Sequence, residues 1–272
     1  MTRALVDEVV VVTGAGSGIG RATALAFARA GARLAVCDVD QARLDDVARA
    51  IGDRTLLADR VDVADRAQMA AFAAHVHREV PAAHVVVNNA GVSVGGPFLE
   101  TSLDDWDWLL GVNLRGIVHG CHFFLPNMVA AGAGGQIINL SSILGLYAAP
   151  DVSAYVASKF AIRGFSEALR AELAVHGIGV STICPGMVAT AMCEDSRMAG
   201  AMSARRFEIL STFRDRGTSP ETVAAAIVEA VDENPVLRPV GLDAWAIHAL
   251  GRIAPRTVGR VAHMLQRRFG GA

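Results

Sequence analysis

Short runs of β-branched and aliphatic residues alternate along the chain with longer stretches whose apolar positions recur every three or four residues. The runs at 9–13, 33–38, 55–61, 84–88, 136–141, 179–184 and 236–240 predict strands. The stretches at 19–30, 41–51, 65–80, 103–131, 153–176 and 220–233 predict helices. Strands alternating with helices of this length predict βαβ units. The expected fold is a doubly wound parallel sheet of about seven strands with helices on both faces, in one α/β domain spanning 1–272. Residues 9–12 and 85–87 are apolar at every position, as in strands covered on both sides. Two stretches break the pattern, at 187–217 and 242–272.

The 272 residues are 52 % hydrophobic and 19 % charged, enough apolar material for a large core. A net charge of −2 gives no general attraction to nucleic acid. The apolar run at 9–12 is too short for a signal-peptide core, and no stretch reaches the length of a membrane-spanning helix. The expectation is a cytoplasmic protein. None of the four cysteines forms a CxxC pair, and Cys37 and Cys184 fall in strand runs, as buried thiols do. His119 and His122 flank Cys121 without a further ligand at a suitable spacing, so no metal is expected.

The first strand run leads straight into Thr13-Gly14-Ala15-Gly16-Ser17-Gly18-Ile19-Gly20, and a helix-forming stretch follows. In this setting Gly14 permits a sharp turn, Gly18 a close approach of a pyrophosphate, and Gly20 tight packing of helix on strand. The free amides and positive end of the helix favour phosphate, with Ser17 and Ile19 in the same loop. Asp38 ends the second strand, 18 residues after Gly20. A carboxylate there accepts both hydroxyls of an adenosine ribose and repels a 2′-phosphate, which favours NAD over NADP. The competing reading of Asp38 is a helix N-cap, and Arg21 and Arg43 are nearby cations. Asp62 and Val63 follow the third strand, where an acceptor and a small apolar group suit an adenine ring. Asn89, Ala90 and Gly91 follow the fourth, small enough to pass close to a ribose.

The chain contains 24 arginines and a single lysine, Lys159, four residues after Tyr155. On a helix, residues four apart share one face. A slim ammonium fits where a broad guanidinium does not. A free phenol titrates at about 10. A cation about 4 Å away, at an effective dielectric near 20, contributes about 4 kcal/mol, or about three pKa units. That brings a tyrosine within reach of acid–base duty near neutral pH.

The order Thr13-Gly14-x-x-x-Gly18-Ile19-Gly20, Asp62, Asn88-Asn89-Ala90-Gly91, Asn113, Ser142, Tyr155-x-x-x-Lys159, Pro185-Gly186 and Thr190 resembles the short-chain dehydrogenase/reductase family. The resemblance runs from about Val9 to Val240. It implies a Rossmann-type domain, a nicotinamide cofactor, and a homotetramer or homodimer in contact through the helices that contain Asn113 and Tyr155. It also implies a catalytic group of Asn113, Ser142, Tyr155 and Lys159, with Tyr155 as general base or acid and Lys159 also on the nicotinamide ribose. By the same resemblance Ser142, rather than Ser141, orients the substrate oxygen, and Asn113 holds a water linking Lys159 to solvent. Pro185, Gly186, Val188 and Thr190 flank the nicotinamide.

In such proteins a segment like 187–217 covers the substrate, and here it carries Met187, Met192, Met198, Met202, Phe207 and Phe213. Methionine adapts to irregular apolar shapes. The expected substrate is a hydrophobic secondary alcohol or its ketone. Tyr147 lines the cleft or serves packing. The tail at 242–272 mixes Arg252, Arg256, Arg260, Arg267 and Arg268 with apolar residues. It covers the cleft or a subunit interface, or else lies on an anionic membrane surface. Competing functions are an NADP-preferring carbonyl reductase, disfavoured by Asp38, and a sugar-nucleotide epimerase or dehydratase, for which the chain is short. A nucleotide-sensing module without turnover is the third; both tyrosine and lysine are retained here.

Overall fold

The computed structural model describes residues 5–190, 192 and 195–253. Seven strands form one parallel sheet: β1 (Val9–Thr13), β2 (Arg33–Asp38), β3 (Thr55–Arg60), β4 (Val85–Asn88), β6 (Gly135–Leu140), β7 (Ile178–Pro185) and β9 (Leu237–Val240). Their spatial order is β3-β2-β1-β4-β6-β7-β9, all parallel. The order reverses between β1 and β4, which opens a crevice at the carboxyl ends of the strands. The fold is the expected Rossmann-type arrangement, and the strand boundaries lie within a residue of those read from the pattern.

The continuous apolar runs have a simple cause. Side chains alternate across the sheet, and both faces carry helices. Val10, Val12, Leu34 and Val36 point to one core with Ala24 and Phe27 of α1 (Gly18–Arg29), Leu44 and Val47 of α2 (Gln41–Ile51), and Val223 and Ile227 of α9 (Pro220–Glu233). Val9, Val11, Val86 and Ile137 point to the other. There they meet Met69 and Phe72 of α3 (Arg66–Glu79), Ile117 and Phe124 of α5 (Gly116–Ala131), and Ile162 of α6 (Ser153–Leu173). Phe27, Phe72 and Phe124 are wholly buried, each worth about 1.5–3 kcal/mol. Phe72 and Phe124 meet edge to face at 6.0 Å. Helix starts follow local chemistry: Asp40 caps α2 through the Arg43 amide, Asp65 caps α3, and Ser219 caps α9 ahead of Pro220.

The expected continuous helix at 103–131 is interrupted. It divides into α4 (Leu103–Leu110), a π turn at Gly111–Arg115, and α5. Gly116 has no side chain because a Cβ there would stand 2.7 Å from Val63 Cγ2. The stretch at 187–217 also holds more structure than the pattern predicts. β5 (Val94–Gly95) and β8 (Arg197–Met198) form a second, two-stranded sheet. Two short helices follow, α7 (Gly200–Ala204) and α8 (Arg206–Arg216). In the tail region α10 spans Leu242–Ile253; Arg256, Arg260, Arg267 and Arg268 lie outside the described residues. Among the described residues no helix is long and apolar enough to cross a membrane.

Candidate active site

The expected cofactor residues gather at the carboxyl ends of β1, β2, β3, β4 and β7. Gly14 has φ +64°, and a Cβ there would approach Ala90 Cα to 2.6 Å. Gly18 has φ +50° and faces Thr190, 3.1 Å from where its Cβ would stand. A Cβ on Gly20 would collide with the Gly14 carbonyl at 2.0 Å. The loop is thus folded against the segments after β4 and β7, and only glycine fits at these points. Ser17 occupies the N-cap of α1 without capping it through its side chain, and the first turn carries no acidic residue. The amides of that turn and of Ile19 therefore remain available to an anion.

Asp38 is not the helix cap; Asp40 is. One Asp38 oxygen accepts from the Gly16 amide at 2.7 Å and the other from the Asp40 amide at 3.0 Å. This places the carboxylate against the glycine loop. Thr13 Oγ1 accepts from the Asn89 and Ala90 amides, and the Asn89 side-chain amide donates to the carbonyls of Thr13 and Gly14, each at 3.0 Å. The segment after β4 is thereby tied to the turn after β1. Asp62 folds its carboxylate onto the Ala64 amide at 2.9 Å, and the Val63 carbonyl meets His119 Nδ1 at 2.9 Å. His119 is thus engaged with the backbone, while Cys121 beside it is buried and its thiol pushed up to about 12 by desolvation. Among the described residues no cluster with metal-ligand character occurs.

The second group lies on α6 and the turn after β6. Tyr155 and Lys159 are 8 % and 4 % exposed and share a helix face, with Lys159 Nζ 5.4 Å from the phenol ring centroid. Nζ donates to the Leu140 carbonyl at 3.0 Å. Burial lowers the ammonium to about 8, so it is charged at neutral pH but only by a modest margin. Ser141 and Ser142 diverge. The Ser141 hydroxyl donates to the Lys159 carbonyl at 2.8 Å, which turns it into the helix. Ser142 Oγ accepts from the Leu144 amide at 3.1 Å and keeps its own proton for a second bond. Asn113 is completely buried within the π turn, not in regular helix. Its Oδ1 accepts from the Val92 amide at 2.8 Å, and its Nδ2 donates to the Val92 carbonyl and to Ser158 Oγ. A Cβ on Gly91 would stand 3.4 Å from Asn113 Oδ1 and 3.7 Å from Lys159 Nζ. Gly91 thus lies close to both the asparagine and the lysine.

One acidic residue at the site had no sequence signal. Asp243, in the first turn of α10, accepts from the Met187 amide at 2.9 Å and from the Ala244 amide at 2.9 Å. A Cβ on Gly186 would lie 2.0 Å from its Oδ1. Asp243 therefore fixes the turn that follows Pro185. Burial first, and then the Asp243 charge, raise Tyr147 above the usual phenol range. Val188 bridges to Thr218, which keeps the chain beyond the turn beside α9.

Above the tyrosine lies an apolar cluster. Val94, Leu109, Ala154 and Tyr155 are buried together, with Trp106, Trp108, Leu144, Val152 and Met192 packed against them. Met202 lies against Gly95, 2.9 Å from where a Cβ would stand. Ion pairs add to the backbone attachments of the 187–217 segment. Arg197 stacks over Trp108 at 3.7 Å and pairs with Asp105 at 2.8 Å. Arg43 of α2 pairs with Asp195 at 3.1 Å.

Comparison with known proteins agrees with this geometry. Residues 8–200 match the short chain dehydrogenase family. The chain is 40 % identical over 266 residues to the probable oxidoreductase EphD of Mycobacterium tuberculosis, covering 95 % of this chain and 45 % of that protein. It therefore spans about half the length of that relative. It is 39 % identical to the putative oxidoreductase SadH of the same organism, over 90 % of each chain. A short-chain dehydrogenase from Burkholderia phymatum, solved in complex with NAD, superposes with a TM-score of 0.85 at 30 % identity, covering 94 % of this chain and 95 % of the other. The chain belongs to the short-chain dehydrogenase/reductase family of NAD(P)-dependent oxidoreductases.

Proposed function

We propose that the protein transfers a hydride between NAD(H) and a hydrophobic secondary alcohol or its ketone, with Tyr155 as the acid–base group. The observation that carries this reading is the buried Tyr155–Lys159 pair beside a glycine-lined crevice whose far end presents Asp38. The residues fit a dinucleotide. A side chain at Gly14, Gly18 or Gly20 would press on Ala90, Thr190 or the Gly14 carbonyl and distort the loop that forms the cradle, and the uncapped start of α1 offers amides to a pyrophosphate. Gly14, Ser17, Gly18, Ile19 and Gly20 would hold the phosphates. Asp38 would take the ribose hydroxyls and Asp62 and Val63 the adenine. Asn89, Ala90, Gly91, Pro185, Gly186, Val188 and Thr190 would line the nicotinamide half. The bound dinucleotide supplies the hydride donor or acceptor. NAD is favoured because Asp38 would stand against a 2′-phosphate, and the Burkholderia relative was solved with NAD.

Tyr155 takes the hydroxyl proton of an alcohol at its phenolic oxygen, or gives its proton to a ketone. Lys159, held by the Leu140 carbonyl, keeps a positive charge close to the phenol and favours its ionised form. Ser142 donates a hydrogen bond to the substrate oxygen and positions it. Asn113 steadies the Val92 backbone beside Gly91 and so fixes the wall opposite Lys159. Val94, Trp106, Leu144, Val152 and Met192 would meet an apolar substrate, and the 187–217 segment would act as its lid. Assembly into a dimer or tetramer would use α5 and α6, whose Val118 and Phe160 are exposed. A panel of secondary alcohols of rising apolar size, followed by absorbance of the reduced nicotinamide with both cofactors, tests the reading. The expected result is kcat/KM rising with apolar size and higher with NAD. A flat profile refutes the substrate class.

A further inference from the structure

We propose that Asp195 of the lid is a specificity-determining residue for the cofactor, acting by holding Arg43 away from a 2′-phosphate. The inference rests on the assignment of Asp38 to the adenosine ribose. Asp38 and Arg43 converge on Gly16. A Cβ there would lie 2.8 Å from Asp38 Cγ and 3.0 Å from Arg43 Cβ. The Arg43 side chain therefore starts beside the carboxylate that faces the ribose. A guanidinium so placed is the fork that binds a phosphate through paired N–H groups. It would undo the rejection that Asp38 provides.

The structure gives the guanidinium other partners. Its Nε lies 3.2 Å from Asp40 Oδ2, and its Nη1 donates to Asp195 Oδ2 at 3.1 Å. Asp40 belongs to the same helix and stays with Arg43 in any state of the lid. Asp195 is 152 residues distant in sequence and comes only with the lid. The Asp195 hydrogen bond, then the Asp195 charge, and after them the charges of Asp40 and Asp38, raise the Arg43 guanidinium further above its ordinary value. A 2′-phosphate must therefore compete with Asp195 for the Nη1 edge, whereas the bare hydroxyls of NAD need no such exchange. The NAD preference thus has two parts, direct repulsion by Asp38 and sequestration of the cation by Asp195. Both partners are solvent-exposed, so the second part is the smaller.

The test compares dissociation constants of NAD and NADP, read by quenching of tryptophan fluorescence, in the full chain and in three variants. Asp195→Ala should lower the ratio Kd(NADP)/Kd(NAD) by about 1.4-fold to fivefold, the range carried by an exposed ion pair, with NAD affinity unchanged. In Arg43→Ala/Asp195→Ala the ratio should return to the wild-type value or exceed it. An unchanged ratio in Asp195→Ala, or the same decrease without Arg43, overturns the proposal. Asp38→Ala separates this failure from a deeper one. If the ratio falls in Asp38→Ala but not in Asp195→Ala, only the role of Asp195 is lost. If Asp38→Ala leaves the ratio unchanged, the ribose assignment itself is wrong.

Discussion

Replacing Lys159 by methionine should stabilise the protein while abolishing turnover. The ammonium is 4 % exposed and its pKa falls from 10.5 to about 8 because burial disfavours the charge. At 1.36 kcal/mol per pKa unit, that interval corresponds to about 3 kcal/mol of destabilisation at neutral pH. Methionine has a similar unbranched stem and no charge. Its drawback is the bond from Nζ to the Leu140 carbonyl, whose loss costs about 1–2 kcal/mol. The net gain at pH 7 is about 1–2 kcal/mol, a rise in Tm of about 2–8 °C for a chain of this size. The pH dependence is more diagnostic. Between about 8 and 10.5 the unfolded lysine holds its proton while the folded one has lost it, so wild-type stability climbs with pH through that window. Below about 8 both forms are protonated and the full penalty persists. Three buried thiols, Cys37, Cys121 and Cys184, are raised by burial and act in the opposite direction in alkali. Cys37 and Cys121 are common to both proteins and cancel in the difference; Cys184 also feels the Lys159 charge, and without it its thiol holds its proton still more firmly. The variant's advantage should therefore shrink by about 3 kcal/mol between pH 7.5 and 10.5 and change sign near the top. Urea unfolding of the dinucleotide-free proteins at several pH values measures this. A variant less stable at pH 7, or an advantage independent of pH, would falsify the view of Lys159 as a buried, destabilising charge.

Other outcomes follow from the same geometry. Tyr155→Phe should lower kcat by about 10²–10⁴-fold, the usual contribution of a positioned acid–base group, while a dinucleotide titration stays unchanged; retained turnover would remove the tyrosine from the reaction. Gly14→Ala forces a side chain into φ +64° and against Ala90; thermal melts should show a loss of more than about 1–2 kcal/mol, and cofactor affinity should fall with it. Asp243→Asn weakens the bond to the Met187 amide by about 1 kcal/mol, so KM for the dinucleotide should rise severalfold with little change in kcat. In the same variant an ultraviolet titration should show Tyr147 ionising at lower pH, though still above a free phenol because burial is the larger cause.

The features legible in the sequence are those set by local pattern. Apolar runs such as 85–87 announce two-sided burial, and the turn from Val12 through Gly20 carries its strand and helix flanks within a dozen residues. The Tyr155–Lys159 pair is visible because helix geometry alone puts the two on one face. What escapes the sequence depends on partners far along the chain. The π turn at Gly111–Arg115 follows from packing Gly116 against Val63 and burying Asn113 against Val92, which no propensity encodes. The pairing of β5 with β8 involves two residues from each strand, too few to produce an alternation. Asp243 is an ordinary first-turn carboxylate until the turn at Gly186 is brought over it. The reading of Asp38 as a possible cap failed for a related reason: Asp40 stands two residues nearer the helix and takes that position.

The scarcity of lysine has a practical result. Every side-chain amine on this polypeptide is the single one enclosed beside the phenol. Reagents that acylate or alkylate primary amines would find nothing to decorate on the outer surface apart from the α-amino group. Incorporation of a second label per molecule would then report how often the crevice admits solvent, and protection by a dinucleotide would locate that event without any engineered probe.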